Sequence, residues 1–248
     1  MANNKKTKNN NSANFNNYNR RSTNEVLYID FSQNPEQKEL IRLMNENSRP
    51  IIFCMGDAGT GKTFTSLVAA IDLVKIQKKY SKIFYIREPI EVGRSLGYLP
   101  GSMDEKFSVY LDGMMDNLEV ISDYSGLNVN DMANSIECIP PQYIRGRSIS
   151  NSIVIVDEAQ NLSLEQIQTI CTRIGKYCKL IFMGSLKQID LKGKSAKNND
   201  FLTSYEIIKE IDTDGTLMGY VELTKSERSE FCKLIDEAFN KYKEQNIK

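Results

Sequence analysis

The sequence predicts an α/β fold, a central and mostly parallel β-sheet with helices on both faces. Three observations predict it. Apolar runs recur as RPIIFCM (49–55), KIFYI (82–86), SIECI (135–139), SIVIVDE (152–158) and KLIFMG (179–184), and continuous runs of this kind suit parallel strands covered on both sides. Segments with helical apolar spacing fall between several of them, the alternation expected of strands joined by crossover helices. The chain has 248 residues, 40% of them apolar and 26% charged, enough for one sizeable core at ordinary globular composition.

The elements follow in order. Residues 1–24, MANNKKTKNNNSANFNNYNRRSTN, hold ten Asn, five basic residues and no acid. With two aromatics and almost no aliphatics, this tail cannot bury enough surface to offset its ordering entropy and is expected to be disordered. It reads either as a loose electrostatic arm for nucleic acid or as a solvated tail. A single domain, 25–248, follows. NPEQKELIRLMNEN (34–47) is a predicted helix with Leu40, Ile41, Leu43 and Met44 on one side. The strand RPIIFCM leads into a predicted helix over Thr63–Tyr80, with Leu67, Ala70, Ile71 and Val74 at apolar spacing. A further helix is expected over Leu164–Ile174, an exposed loop over KGKSAKNND (192–200), and a last strand and closing helix over 218–239. In that closing helix Phe231, Leu234, Ile235, Ala238 and Phe239 are expected to face inward. No internal repeat is visible.

Charge and composition exclude several functions. The whole chain balances 32 basic against 32 acidic residues, and the domain without its tail carries 27 against 32, so no global field argues for nucleic acid. There is no His, which removes His-based metal sites, His general bases and Ser-His triads. Cys54, Cys138, Cys171, Cys178 and Cys232 form no CxxC pair, as expected of reduced cytosolic thiols. No apolar run has the length of a membrane span, and the N-terminus lacks the apolar stretch of a signal peptide. A cytoplasmic protein without membrane contact is expected.

The strand FCM breaks into Gly56-Asp57-Ala58-Gly59-Thr60-Gly61-Lys62-Thr63, with Phe64 next in the helix. This is the G-x-x-x-x-G-K-[ST] phosphate loop in strand–loop–helix context. Glycines let backbone N–H groups converge on phosphate oxygens, and the helix N-terminus adds its dipole. Lys62 is expected at the β- and γ-phosphates, and Thr63 on Mg²⁺. IVIVDEAQN (153–161) sets Asp157 at the end of a buried strand, where it can hold Mg²⁺ through water. Glu158 then stands ready to align and deprotonate an attacking water. Two acids after a strand can also be a mere helix cap; the phosphate loop about a hundred residues upstream favours catalysis. Gln188, beyond the strand LIFMG, reads as a γ-phosphate sensor or as an ordinary strand exit. Arg228 reads as a charge-stabilising arginine or as a surface partner of Glu227 or Glu230. Arg87, Arg94, Arg145 and Arg147 either grip a nucleic-acid backbone or sit in salt bridges.

Together these residues resemble the PhoH-like family of P-loop ATPases, from Gln37 to about Tyr242. GDAGTGKT resembles the family's G-x-A-G-T-G-K-T, and REPIEVGRSLGYLPG (87–101) its R-P-x-V-E-x-G-E-x-L-G-F-L-P-G. YIRGRSISNSIVIVDEAQN (143–161) resembles its M-R-G-R-T-L…V-I-L-D-E-A-Q-N. ERSEFCKLIDEAF resembles its closing V-R-H-P-L-V-x-x-I-x-x-A-Y, which puts Arg228 at the family arginine. The family is similar to the motor core of superfamily 1 helicases. That resemblance implies a RecA-like P-loop NTPase fold, ATP and Mg²⁺ as ligands, ATP hydrolysis, an association with phosphate starvation and, for some members, RNA unwinding. It implies that Gln37 reads adenine, Arg87 lies in a nucleic-acid-facing segment and Arg228 is the γ-phosphate arginine.

The family's G-D-x-x-Q-x-D stands here as Gly184-Ser185-Leu186-Lys187-Gln188-Ile189-Asp190, so Ser185 replaces an acidic, metal-proximal residue. This replacement, ERS in place of V-R-H and an extra residue in REP suggest a divergent, phage-encoded branch. The short tail is not the nuclease domain some relatives carry, so no ribonuclease activity is expected. Related helicases place ATP between two domains. One such domain here implies a ring-type homo-oligomer, a hexamer by the resemblance, working on RNA or single-stranded DNA. Two other functions stay open: a P-loop phosphotransferase, and a weakly hydrolysing switch in which ATP binding controls assembly.

Overall fold

The computed structural model describes residues 25–89, 112–185 and 199–246. The expected tail, most of the 192–200 loop, Arg94 and Gln188 lie outside them. A short antiparallel pair, β1 (Glu25–Val26) and β2 (Ile29–Asp30), precedes α1 (Pro35–Asn45). Asn34 caps α1 by accepting from the Gln37 N–H, and Pro35 occupies the first turn, where its missing N–H is harmless. Leu40, Ile41, Leu43 and Met44 are buried, as the apolar spacing predicts.

β3 (Ile51–Gly56) feeds α2 (Lys62–Ile71). The helix predicted to Tyr80 instead widens into one π-helical stretch, Asp72–Ile76, and stops before Lys78 at φ 54°. β4 (Lys82–Arg87), α3 (Asp112–Ser125), α4 (Val129–Ala133) and β5 (Ile136–Ile139) follow. Then come β6 (Ser152–Asp157), α5 (Leu164–Arg173), β7 (Lys179–Gly184), α6 (Asp200–Ile211), β8 (Met218–Leu223) and α7 (Glu230–Asn246). A capping box of Ser163 and Gln166 starts α5.

The main sheet has the order β5-β4-β6-β7-β3-β8, and every neighbouring pair is parallel. Alternate residues of its strands supply two cores. Ile52, Cys54, Ile153 and Ile155 pack with α1 to α4, whereas Phe53, Val154, Val156 and Phe182 pack with α5 and α6. Both faces of the inner strands are therefore covered, which is why β3, β6 and β7 read as nearly continuous apolar runs. The register sets Arg87 opposite Asp157, Met55 opposite Gly184 and Gly56 opposite Leu223. The carboxyl ends of five strands thus finish at one level, where open parallel sheets hold their ligands.

The closing helix departs from expectation. Phe231, Leu234, Ile235, Ala238 and Phe239 are exposed, Phe231 by 72% and Leu234 by 65%. The apolar stripe exists with the predicted spacing, but α7 does not lay it on the chain's own core.

Candidate functional site

The loop between β3 and α2 is shaped by two left-handed glycines, Gly59 at φ 77° and Gly61 at φ 83°. That region disfavours any residue with a Cβ, and space is closed as well. A Cβ on Gly61 would lie 2.4 Å from Gln37 Nε2, and one on Gly59 would lie 2.3 Å from Arg228 Nε. Gln37 Nε2 donates to Thr60 O at 3.1 Å, and Thr60 Oγ1 donates to Asp57 O at 2.9 Å. The loop is therefore braced from α1 and from within. Phe64 packs against the core beneath it, so what it can offer a ligand is its backbone N–H.

Lys62 Nζ donates to Gly56 O at 2.6 Å and Asp57 O at 2.8 Å. Among the described residues it makes no ion pair, which leaves its charge available for an anion. Arg228 comes from the segment after β8 and lies over Gly59 of its own chain, where the Glu227 N–H donates to Gly59 O at 2.8 Å. Asn34 Nδ2 holds Glu227 Oε1 at 2.6 Å. Glu227 is thus tied to α1 and the loop, and Arg228 pairs with neither Glu227 nor Glu230.

Asp157 ends β6 almost fully buried. Tyr85 Oη donates to its Oδ2, and Arg87 Nη1 lies 3.7 Å from the same oxygen. Both partners come from β4, the adjacent strand. Burial and then the Asp157 charge raise the Tyr85 hydroxyl well above its ordinary pKa, so it stays a donor. Burial works most strongly against the Arg87 cation, but Asp157, Tyr85 and Glu158 together outweigh it and raise the Arg87 pKa. Thr63 Oγ1 stands 3.4 Å and 3.5 Å from the two Asp157 oxygens.

Glu158 follows in the left-handed region at φ 51°, ψ 42°, a conformation that costs a non-glycine residue about 1–3 kcal/mol. Burial, then the neighbouring Asp157 charge, raises its carboxyl pKa. Gln160 Nε2 donates to Glu158 Oε2 at 2.5 Å. At the end of β7, Ser185 Oγ reaches Asp57 Oδ1 at 3.5 Å.

The residues fit a magnesium nucleotide. Two protein oxygens, the Thr63 hydroxyl and the Asp157 carboxylate, face each other at a spacing suited to one hard cation. Among the described residues no group of three or more Cys, Asp or Glu could hold a metal. Mg²⁺ bound through one or two protein oxygens, phosphates and water needs no larger cage.

The structure gathers Gln37, the loop Gly56–Thr63, Asp157, Glu158 and Arg228 at one sheet edge. Arg87 joins them through Asp157. Arg145 and Arg147 are held elsewhere, in surface ion pairs with Glu165 and Glu137. Sequence reasoning passed over Tyr85 and Asn34 and left Gln160 without a role. Gln160 stood in the quoted DEAQN run, whereas Tyr85 gave no signal beyond two residues' distance from Arg87.

A G-x-x-x-x-G-K-T loop at the carboxyl edge of a six-stranded parallel sheet, with a buried aspartate facing its threonine, defines a nucleotide-binding P-loop domain. Residues 31–240 match the family described as PhoH-like protein. The chain belongs to the PhoH-like family. It is 33% identical over 206 residues to Protein PhoH2 of Bacillus subtilis, covering 82% of this chain and 46% of that protein. It is 35% identical over 205 residues to a PhoH-like protein of the same organism, covering 83% and 62% respectively. To Protein PhoH of Escherichia coli it is 31% identical over 190 residues, covering 75% and 51%. The chain thus spans about half the length of the curated relatives it matches. Among the described residues no helix is long and apolar enough to cross a membrane.

Proposed function

We propose that this protein hydrolyses ATP with Mg²⁺ and couples hydrolysis to binding or remodelling RNA or single-stranded DNA, as a cytoplasmic ring-type homo-oligomer. The observation that carries the reading is the gathering of Lys62, Thr63, Asp157, Glu158 and Arg228 around one glycine loop. Backbone N–H groups of the loop cradle the phosphates, and Lys62 exchanges its backbone carbonyls for phosphate oxygens. Thr63 and Asp157 would hold Mg²⁺, which would supply charge neutralisation for the phosphates. Glu158 aligns the attacking water and takes its proton; its raised pKa suits a base. Arg228, on the same chain as the loop, offsets charge on the transferring phosphoryl group. Gln37 has its amide nitrogen engaged by Thr60 O, so we give it the shaping of the loop alongside the adenine contact implied by resemblance.

The exposed apolar face of α7 supports assembly. Nucleic-acid coupling rests on the resemblance to helicase motor cores. Arg145 and Arg147 are engaged in surface ion pairs, which argues against a ready-made arginine grip there. A second reading is favoured by Ser185: without the acid usual at that position, hydrolysis is slow and ATP binding acts as an assembly switch. Release of phosphate from γ-labelled ATP, with and without RNA or single-stranded DNA, separates these. Polymer-stimulated release supports the coupled ATPase. Stoichiometric retention of intact ATP supports the switch, and label on another acceptor indicates a phosphotransferase.

A further inference from the structure

The geometry points to Gln160 as the positioning residue that aims Glu158, held in turn by the backbone of Ser185; this deepens the hydrolytic reading and rests on it. Gln160 is fully buried on the 3₁₀ turn Ala159–Asn161. Its Nε2 donates to Glu158 Oε2 at 2.5 Å, and its Oε1 accepts the Ser185 N–H at 3.0 Å. Chemistry fixes which end of the amide is which. A flipped amide would set its oxygen against a carboxylate and its NH₂ against another N–H donor. One Glu158 oxygen is thereby occupied, which leaves the other for water.

Two features of the chain exist around this contact. The left-handed backbone at Glu158 curls the chain so that a residue two positions later can reach back to its carboxylate. Gly184, just before Ser185, leaves room for the amide: a Cβ there would lie 2.9 Å from Gln160 Oε1 and 2.5 Å from Phe201 Cε1. Gln160 accepts from the backbone N–H of Ser185, a group that every side chain at that position keeps. The exchange of an acid for serine at that position therefore leaves this brace intact. Ser185 Oγ meanwhile reaches Asp57 Oδ1 at 3.5 Å, which links the Glu158–Gln160 pair to the phosphate loop.

Gln160→Glu separates the two ends of the amide. It retains an acceptor for the Ser185 N–H but replaces the donor with a second carboxylate facing Glu158. We expect kcat to fall about 10- to 100-fold, the scale of a misplaced reacting group, with affinity for a non-hydrolysable ATP analogue changed less than about twofold. In a Glu158→Gln background the same substitution should alter turnover no further. Gln160→Met, which also removes the acceptor, should lower kcat similarly and reduce thermal stability as well, because the Ser185 N–H loses its partner.

A readout independent of turnover accompanies these variants. In protein carrying ¹⁵N-labelled glutamine, the side-chain amide signal lost in Gln160→Glu should move in Glu158→Ala. Wild-type protein that releases no phosphate from ATP would overturn the hydrolytic reading, while the amide signal still judges the contact. An amide signal indifferent to Glu158→Ala overturns the proposal, as does unchanged kcat in Gln160→Glu.

Discussion

The placement of Lys62, Thr63, Asp157 and Glu158 was legible in the sequence because each falls within one recognisable strand-and-loop run. Lys62→Ala should abolish tight ATP binding, and unchanged affinity in a filter-binding assay would contradict the cradle. Gly59→Ala tests the loop's reach to Arg228. The φ of 77° strains any other residue by about 1–2 kcal/mol, and the new methyl collides with the Arg228 side chain. Turnover should drop at least about tenfold if that arginine acts on the phosphoryl group, whereas Gly113→Ala, where a Cβ meets nothing within 4 Å, should leave it near wild type. Tyr85 on Asp157, Asn34 on Glu227 and the aim of Gln160 were not legible. The first two join residues 72 and 193 positions apart; the last depends on a backbone kink that composition does not announce.

The inner strands of the main sheet were plain as elements because burial on both faces makes their runs continuous, whereas the two-residue strands β1 and β2 were missed. Helices α3 and α6 were missed, since each buries only three residues among polar neighbours. The early end of α2 reflects a π-helical widening that apolar spacing alone cannot forecast. One contact between elements has a pH signature. Lys179, at the start of β7 and 1% exposed, donates Nζ to Leu43 O, Glu46 O and Arg49 O at 3.3, 2.5 and 2.5 Å. It thereby caps the end of α1. Burial pushes its pKa from 10.5 down to about 8. The folded state thus releases this proton more readily than the unfolded chain, so its contribution to stability rises with pH between about 8 and 10.5 and is lost below. Lys179→Met should flatten that rise. Melting temperatures of the two proteins across this window check it; parallel profiles would contradict the assignment.

At the scale of the whole molecule the closing helix is the informative failure. Helical spacing predicts an apolar stripe but cannot say what it packs against. Phe231, Leu234 and Phe239 stand exposed on α7, so paired Leu234→Asp and Phe239→Asp substitutions should convert an assembled species to a monomer in equilibrium sedimentation. An unchanged assembly would remove α7 from the interface. One phosphate loop and two adjacent acids, Asp157 and Glu158, underlie the proposed ATPase activity. γ-Labelled ATP with Mg²⁺, given to wild type and Glu158→Gln at equal concentration, tests it most directly. Free phosphate is expected from wild type and intact, bound ATP on Glu158→Gln, with turnover lower by at least about 100-fold. Equal release from both, or no bound nucleotide on either, would contradict it.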